Sequence, residues 1–129
     1  MKPYKSVREV LQQPSVMRQG WIVSDDSGAQ QHFVDNVLHR EDGPAMFDVF
    51  GNEYWFRHGV QHREDGPAVQ FKDGYQVWFS QGHRHRVGGP TVHVPGYPAA
   101  DEFWQHGVRL NEDGSEYFDE DEEDANGFV

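Results

Sequence analysis

The sequence predicts a mainly β fold, an array of about four antiparallel β-hairpin repeats with a short N-terminal helix. Three observations carry that prediction. The heptapeptide His39-Arg40-Glu41-Asp42-Gly43-Pro44-Ala45 recurs residue for residue as His62-Arg63-Glu64-Asp65-Gly66-Pro67-Ala68. It returns in altered form as His85-Arg86-Val87-Gly88-Gly89-Pro90-Thr91, again offset by 23 residues. A long match at fixed spacing marks one supersecondary unit repeated along the chain. Gly28, Gly51 and Gly74 each stand four residues before His32, Trp55 and Trp78, which are followed by Phe33, Phe56 and Phe79. Four residues beyond come Asn36, Gly59 and Gly82. Asn in one copy and Gly in the others predicts a backbone position with positive φ, which these residues tolerate best.

The elements follow in chain order. Residues 1–15 form a cap, with a helix of about two turns over Ser6 to Gln13, Ser6 as its N-cap and Val7, Val10 and Leu11 on one side. The repeat domain spans 16–118, in units of about 16–38, 39–61, 62–84 and 85–110. In the third unit Ala68-Val69-Gln70-Phe71-Lys72 alternates apolar and polar, Asp73-Gly74 turns, and Tyr75 to Phe79 returns. Gln81-Gly82 and Glu64-Asp65-Gly66-Pro67 read as connections between hairpins. After an insertion around Pro95-Gly96-Tyr97-Pro98, Trp104 and Gly107 continue the pattern, and Asn111-Glu112-Asp113-Gly114 reads as a last remnant of the heptapeptide. Residues 119–129 form an acidic tail.

The pattern Trp55-Phe56-x-x-Gly59-x-x-His62, repeated as Trp78-Phe79-x-x-Gly82-x-x-His85, resembles the MORN repeat in its bacterial and phage variants. The resemblance covers roughly residues 20–114. It is closer to the variant form than to the eukaryotic one, because Arg-Glu-Asp separates the His from its Gly. It implies an extended single-layer β-sheet used for protein association. Short chains of this variant type are common among phage-encoded proteins, so the resemblance also suggests a viral or mobile-element origin, with a host cytoplasm as the compartment.

Bulk properties bound the function. The 129 residues make one domain with a modest core, and 18 aromatic residues argue for a folded body. With no cysteine there is neither a disulfide framework nor a thiolate metal site. Without a long apolar run or a signal-peptide core, a cytoplasmic protein with no membrane contact is the expectation. The net charge is −11, and residues 112–124 hold nine carboxylates and no basic residue. That end repels nucleic acid and anionic lipid, whose binding depends on Lys and Arg displacing counterions, so no direct nucleic-acid binding is expected.

The candidate chemistry is mostly scaffold. His39, His62 and His85 sit two strands apart, about 10 Å, too far to share one ion. His83, His85 and His93 are the candidate metal cluster. A structural role outweighs it, with the repeated His bonding a turn carbonyl or packing on a neighbouring Trp. Glu41-Asp42 and Glu64-Asp65 recur with the turn, whereas catalytic carboxylates are unique in a chain. No phosphate loop, nucleophile elbow or Cys nucleophile is present. The chain therefore reads as no enzyme, with no cofactor.

The expected partner-binding residues are the strand aromatics Trp55, Phe56, Trp78, Phe79, Phe103 and Trp104, whose paired members face opposite sides of the sheet. Electrostatic contact falls to Glu41, Asp42, Glu64, Asp65 and the tail acids Asp119, Glu120, Asp121, Glu122, Glu123 and Asp124. The tail reads either as a solubilising terminus or as an element for a basic groove. The expected function is non-catalytic protein binding, with a basic nucleic-acid-binding host protein as one such partner. The alternatives are a self-assembling structural repeat, with homo-oligomers through open sheet edges, and a His-based metal activity.

Overall fold

The computed structural model describes residues 5–6, as backbone, and 17–118. The expected helix over Ser6 to Gln13 falls on residues outside that range, apart from Ser6, which lies in a strand. The acids at 119–124 also lie outside the described residues.

The fold is mainly β, as predicted. Its first unit holds β1 (Lys5–Ser6), β2 (Gly20–Val23), β3 (Gln30–Val34) and β4 (Val37–Leu38). The second holds β5 (Met46–Phe47), β6 (Glu53–Tyr54), β7 (Phe56–Arg57) and β8 (Val60–Gln61). The third repeats this with β9 (Val69–Gln70), β10 (Gln76–Val77), β11 (Phe79–Ser80) and β12 (His83–Arg84). The last has β13 (Val92–His93), a 3-10 turn at Pro98–Ala100, β14 (Phe103–Gln105) and β15 (Val108–Leu110). One meandering sheet runs β1-β2-β3-β5-β6-β9-β10-β13. Only the β1–β2 pair is parallel among the described strands.

Each unit makes two hairpins, where the sequence pattern suggests one. The first lies in the main sheet, as in Val69↔Val77 and Gln70↔Gln76. At Trp55 and Trp78 the strand leaves that ladder, and the chain forms a second, two-stranded hairpin. Gln81-Gly82 is the tip of that hairpin rather than a connection. His58-Gly59, Gln81-Gly82 and His106-Gly107 have φ of 52/82°, 50/83° and 50/79°, and Asp35-Asn36 has 48/72°. Positive φ at both central residues is the type I′ turn, whose twist suits a tight hairpin. The positive φ expected at Asn36, Gly59 and Gly82 is therefore observed.

The last motif reads differently in three dimensions. Asn111–Gly114 stands at the heptapeptide position but does not fold as the motif loop. Asn111 N donates to Ser115 O and Gly114 N to Asn111 O, as Phe71 N does to Tyr75 O and Gly74 N to Phe71 O. Leu110 bridges Glu116, so this segment is the tip of a further hairpin.

The core is one side chain deep. Tyr54, Val69, Val77 and Val92 align across β6, β9, β10 and β13, and Phe71, Tyr75, Phe79 and Trp104 pack around the valines. The opposite face carries Glu53, Gln70, Gln76 and His93 in register, with Gln76 Nε2 donating to Gln70 Oε1 at 2.9 Å. Ala45, Ala68 and Thr91, which close the three heptapeptides, are 0% exposed. The buried Thr91 hydroxyl is satisfied by donating to Trp104 O and accepting from Trp104 N.

Candidate partner-binding surface

The heptapeptide builds a loop that locks onto its neighbours. Arg40, Arg63 and Arg86 each donate from Nη1 to the proline carbonyl four residues on, at 3.1, 3.2 and 3.0 Å. The guanidinium fills the space over the motif glycine: a Cβ on Gly43, Gly66 or Gly89 would come within 2.9, 2.5 or 2.7 Å of it. Arg63 stacks on the Trp55 ring at 3.9 Å and Arg86 on Trp78 at 4.0 Å. In the first unit His32 holds the equivalent position, and Arg40 lies over Trp21, which meets His32 edge-on.

The repeated histidines staple one unit to the next. Nδ1 of His39, His62 and His85 accepts the N–H of His58, Gln81 and His106, at 2.8, 2.9 and 3.0 Å. The next residue of each turn donates to Leu38, Gln61 or Arg84 O. The expected partner, a turn carbonyl, is replaced by a turn N–H, because a type I′ tip presents its donors to the preceding unit. The Nδ1 lone pair must therefore be free, which places any ring proton on Nε2. The rings stack on His58 and His106, at centroid distances of 4.5 and 4.2 Å, rather than on Trp. Partial burial and the adjacent His106 ring hold the His85 imidazole below the usual histidine range.

The strand aromatics expected to contact a partner are not equally presented. Trp55 and Trp78 are half-buried beneath their arginines, and their buried indole N–H groups have no hydrogen-bond partner among the described residues. In the last unit the register shifts. Arg40, Arg63 and Arg86 donate their N–H to Phe56, Phe79 and Trp104 O, so Trp104 takes the inward Phe position and Phe103 the outward Trp position. Trp104 joins the valine cluster, and its indole N–H donates to Glu102.

The exposed carboxylates Glu41, Asp42, Glu64 and Asp65 surround one groove of about 290 Å³, together with Trp55, Arg40, Arg57 and Arg63. Asp42 and Asp65 are 89% and 88% exposed. Arg40 and Arg63 do not reach carboxylates of the adjacent unit among the described residues but lie beside their own Asp42 and Asp65, at 3.5 and 3.4 Å. Arg57 joins the units instead, at 2.9 Å from Glu41 and 3.6 Å from Glu64. Sequence reasoning missed Arg57 because its position does not repeat; Ser80 and Gln105 occupy it in later units.

The structure does not bring the candidate metal histidines together. His83 sits on a hairpin edge, His85 against His106, and His93 beside Asp101 at 3.3 Å. Among the described residues no three His, Cys, Asp or Glu side chains group to hold a metal ion. Nor is any described helix long and apolar enough to cross a membrane. Comparisons with protein-family models, with curated proteins and with solved structures found no match to this chain.

Proposed function

We propose that this chain is a non-catalytic protein-binding module of the MORN-variant type, and that it binds a basic protein surface through the groove between the first two heptapeptides. The observation that carries the reading is the disposition of the motif side chains. His, Arg, Gly, Pro and Ala are used up in holding the loop, whereas Glu41, Asp42, Glu64 and Asp65 project to solvent around a half-buried Trp. Exposed carboxylates rimming an aromatic ring suit Lys and Arg side chains of a partner. The overall charge of −11 steers such a partner and repels nucleic acid. A nucleic-acid-binding host protein fits this chemistry, and a phage-encoded modulator is the setting that the repeat type suggests.

The test is affinity capture from bacterial lysate with the full chain beside a version ending at Phe118. The expected outcome is one stoichiometric partner held by both, released by high salt. Retention by the full chain alone would move the site to the acidic tail.

A second reading, self-assembly, rests on Val37, Val60 and Val108, exposed along the turn edge of the array. It predicts a mass well above 14.9 kDa in light scattering.

A further inference from the structure

The last unit contains the same groove with one component missing. Arg86, Gly88, Phe103, Gln105 and Leu110 line a cavity of about 430 Å³. They occupy the repeat positions that Arg40, Asp42, Trp55, Arg57 and His62 hold around the first groove. In the first groove the residue after His62 is Arg63, whose guanidinium covers the Trp55 ring. In the last, the residue after Leu110 is Asn111, and the chain enters a tight turn in place of the Gly-Pro loop. No cation stacks on Phe103 among the described residues. The motif contact is absent among the described residues: a Cβ on Gly114 would meet none of their atoms within 4 Å, whereas Gly43, Gly66 and Gly89 each abut an arginine.

Each groove lining carries one more carboxylate than arginine. The first groove sets three arginines against four carboxylates. The last sets Arg86 against Asp101 and Glu112. Asp101 is engaged by His93 and Val94 N–H, and Glu112 is exposed with no ion pair among the described residues. One further cation balances the site.

We propose that this cavity is an arginine seat, taking from a partner protein the guanidinium that the last unit does not supply, stacked on Phe103 and paired with Glu112. The inference rests on the protein-binding reading above and adds a residue-level specificity to it. Arginine is favoured over lysine because a planar guanidinium stacks on a ring while donating at its edges.

The test is NMR titration of the full-length protein with acetyl-Gly-Arg-Gly-amide at low salt, beside the lysine and citrulline peptides. Saturable shifts at Phe103, Trp104 and Glu112 are expected with the arginine peptide, several-fold weaker with lysine and absent with citrulline. Phe103→Leu, which keeps apolar volume without the ring, and Glu112→Gln should each weaken binding about three- to ten-fold. Equal shifts with citrulline, shifts confined to residues 119–124, or unchanged affinity in both variants would overturn the seat. A captured partner still held by Phe103→Leu, with no peptide binding, would sink this proposal and leave the first-groove reading standing. Loss of capture only on changing the carboxylates at 41, 42, 64 and 65 would do the same.

Discussion

Arg63 shows how much of the fold rests on single side chains. Its guanidinium simultaneously covers Trp55, donates to Pro67 O and excludes any Cβ at position 66. Gly66→Ala should therefore act by evicting the arginine, lowering stability by about 1–2 kcal/mol in denaturant unfolding. In an Arg63→Ala background the same change should cost far less, so the two substitutions should be strongly non-additive. Additive losses would show that the glycine matters for another reason. His85 adds a pH dependence. Its lowered proton affinity means that the fold favours the neutral ring, so its contribution is present above the ordinary histidine value and lost as pH falls through the folded-state value. Unfolding free energy should fall as pH drops below the ordinary histidine value of 6.5, and His85→Leu should flatten that slope. Leu is a suitable replacement because Leu110 holds the same repeat position in the last unit.

At the scale of the element, the units are joined by turn tips rather than by long ladders. The strands of the second hairpins are two or three residues each, so much of the cohesion between units lies in the paired N–H groups that each tip presents to the unit before it. Gly59→Ala and Gly82→Ala force an L-residue into φ near 82–83° and should each cost about 1 kcal/mol in thermal unfolding. A silent substitution would mean that the tip is not a fixed part of the array. The positive φ was legible in the sequence, since Asn36, Gly59 and Gly82 share one repeat position. The second hairpin was not. Tyr75-Gln76-Val77-Trp78-Phe79 reads as one continuous strand, and no turn residue marks the departure from the main sheet at Trp78. The 111–115 turn was misleading for a related reason. Asp-Gly serves both the heptapeptide and the main hairpin tip, and only the Asn111–Ser115 hydrogen bond decides between them.

Across the whole molecule, regular spacing separates two kinds of residue that look alike in sequence. The heptapeptide was legible as scaffold, and the structure assigns His, Arg, Gly, Pro and Ala to holding it together. Its Glu and Asp recur in only two of the three copies, Val87 and Gly88 replacing them in the third, and they lie outermost, with partial ion pairs to Arg57, to their own arginines and to His39 and His62. That division was legible in the third copy, which keeps His85, Arg86, Gly89 and Pro90 but not the acids. Repetition hid Arg57, which appears once and links the two acidic steps. Exposed ion pairs of this kind contribute little to stability, about 0–1 kcal/mol each. The most direct test is therefore a binding isotherm of the captured partner against Glu41→Gln/Asp42→Asn/Glu64→Gln/Asp65→Asn, with thermal unfolding recorded on the same sample. A melting temperature within a few degrees of the parent and affinity reduced at least ten-fold are expected. A folded variant that binds as tightly as the parent, or one that no longer folds, would contradict the assignment of these carboxylates to a partner.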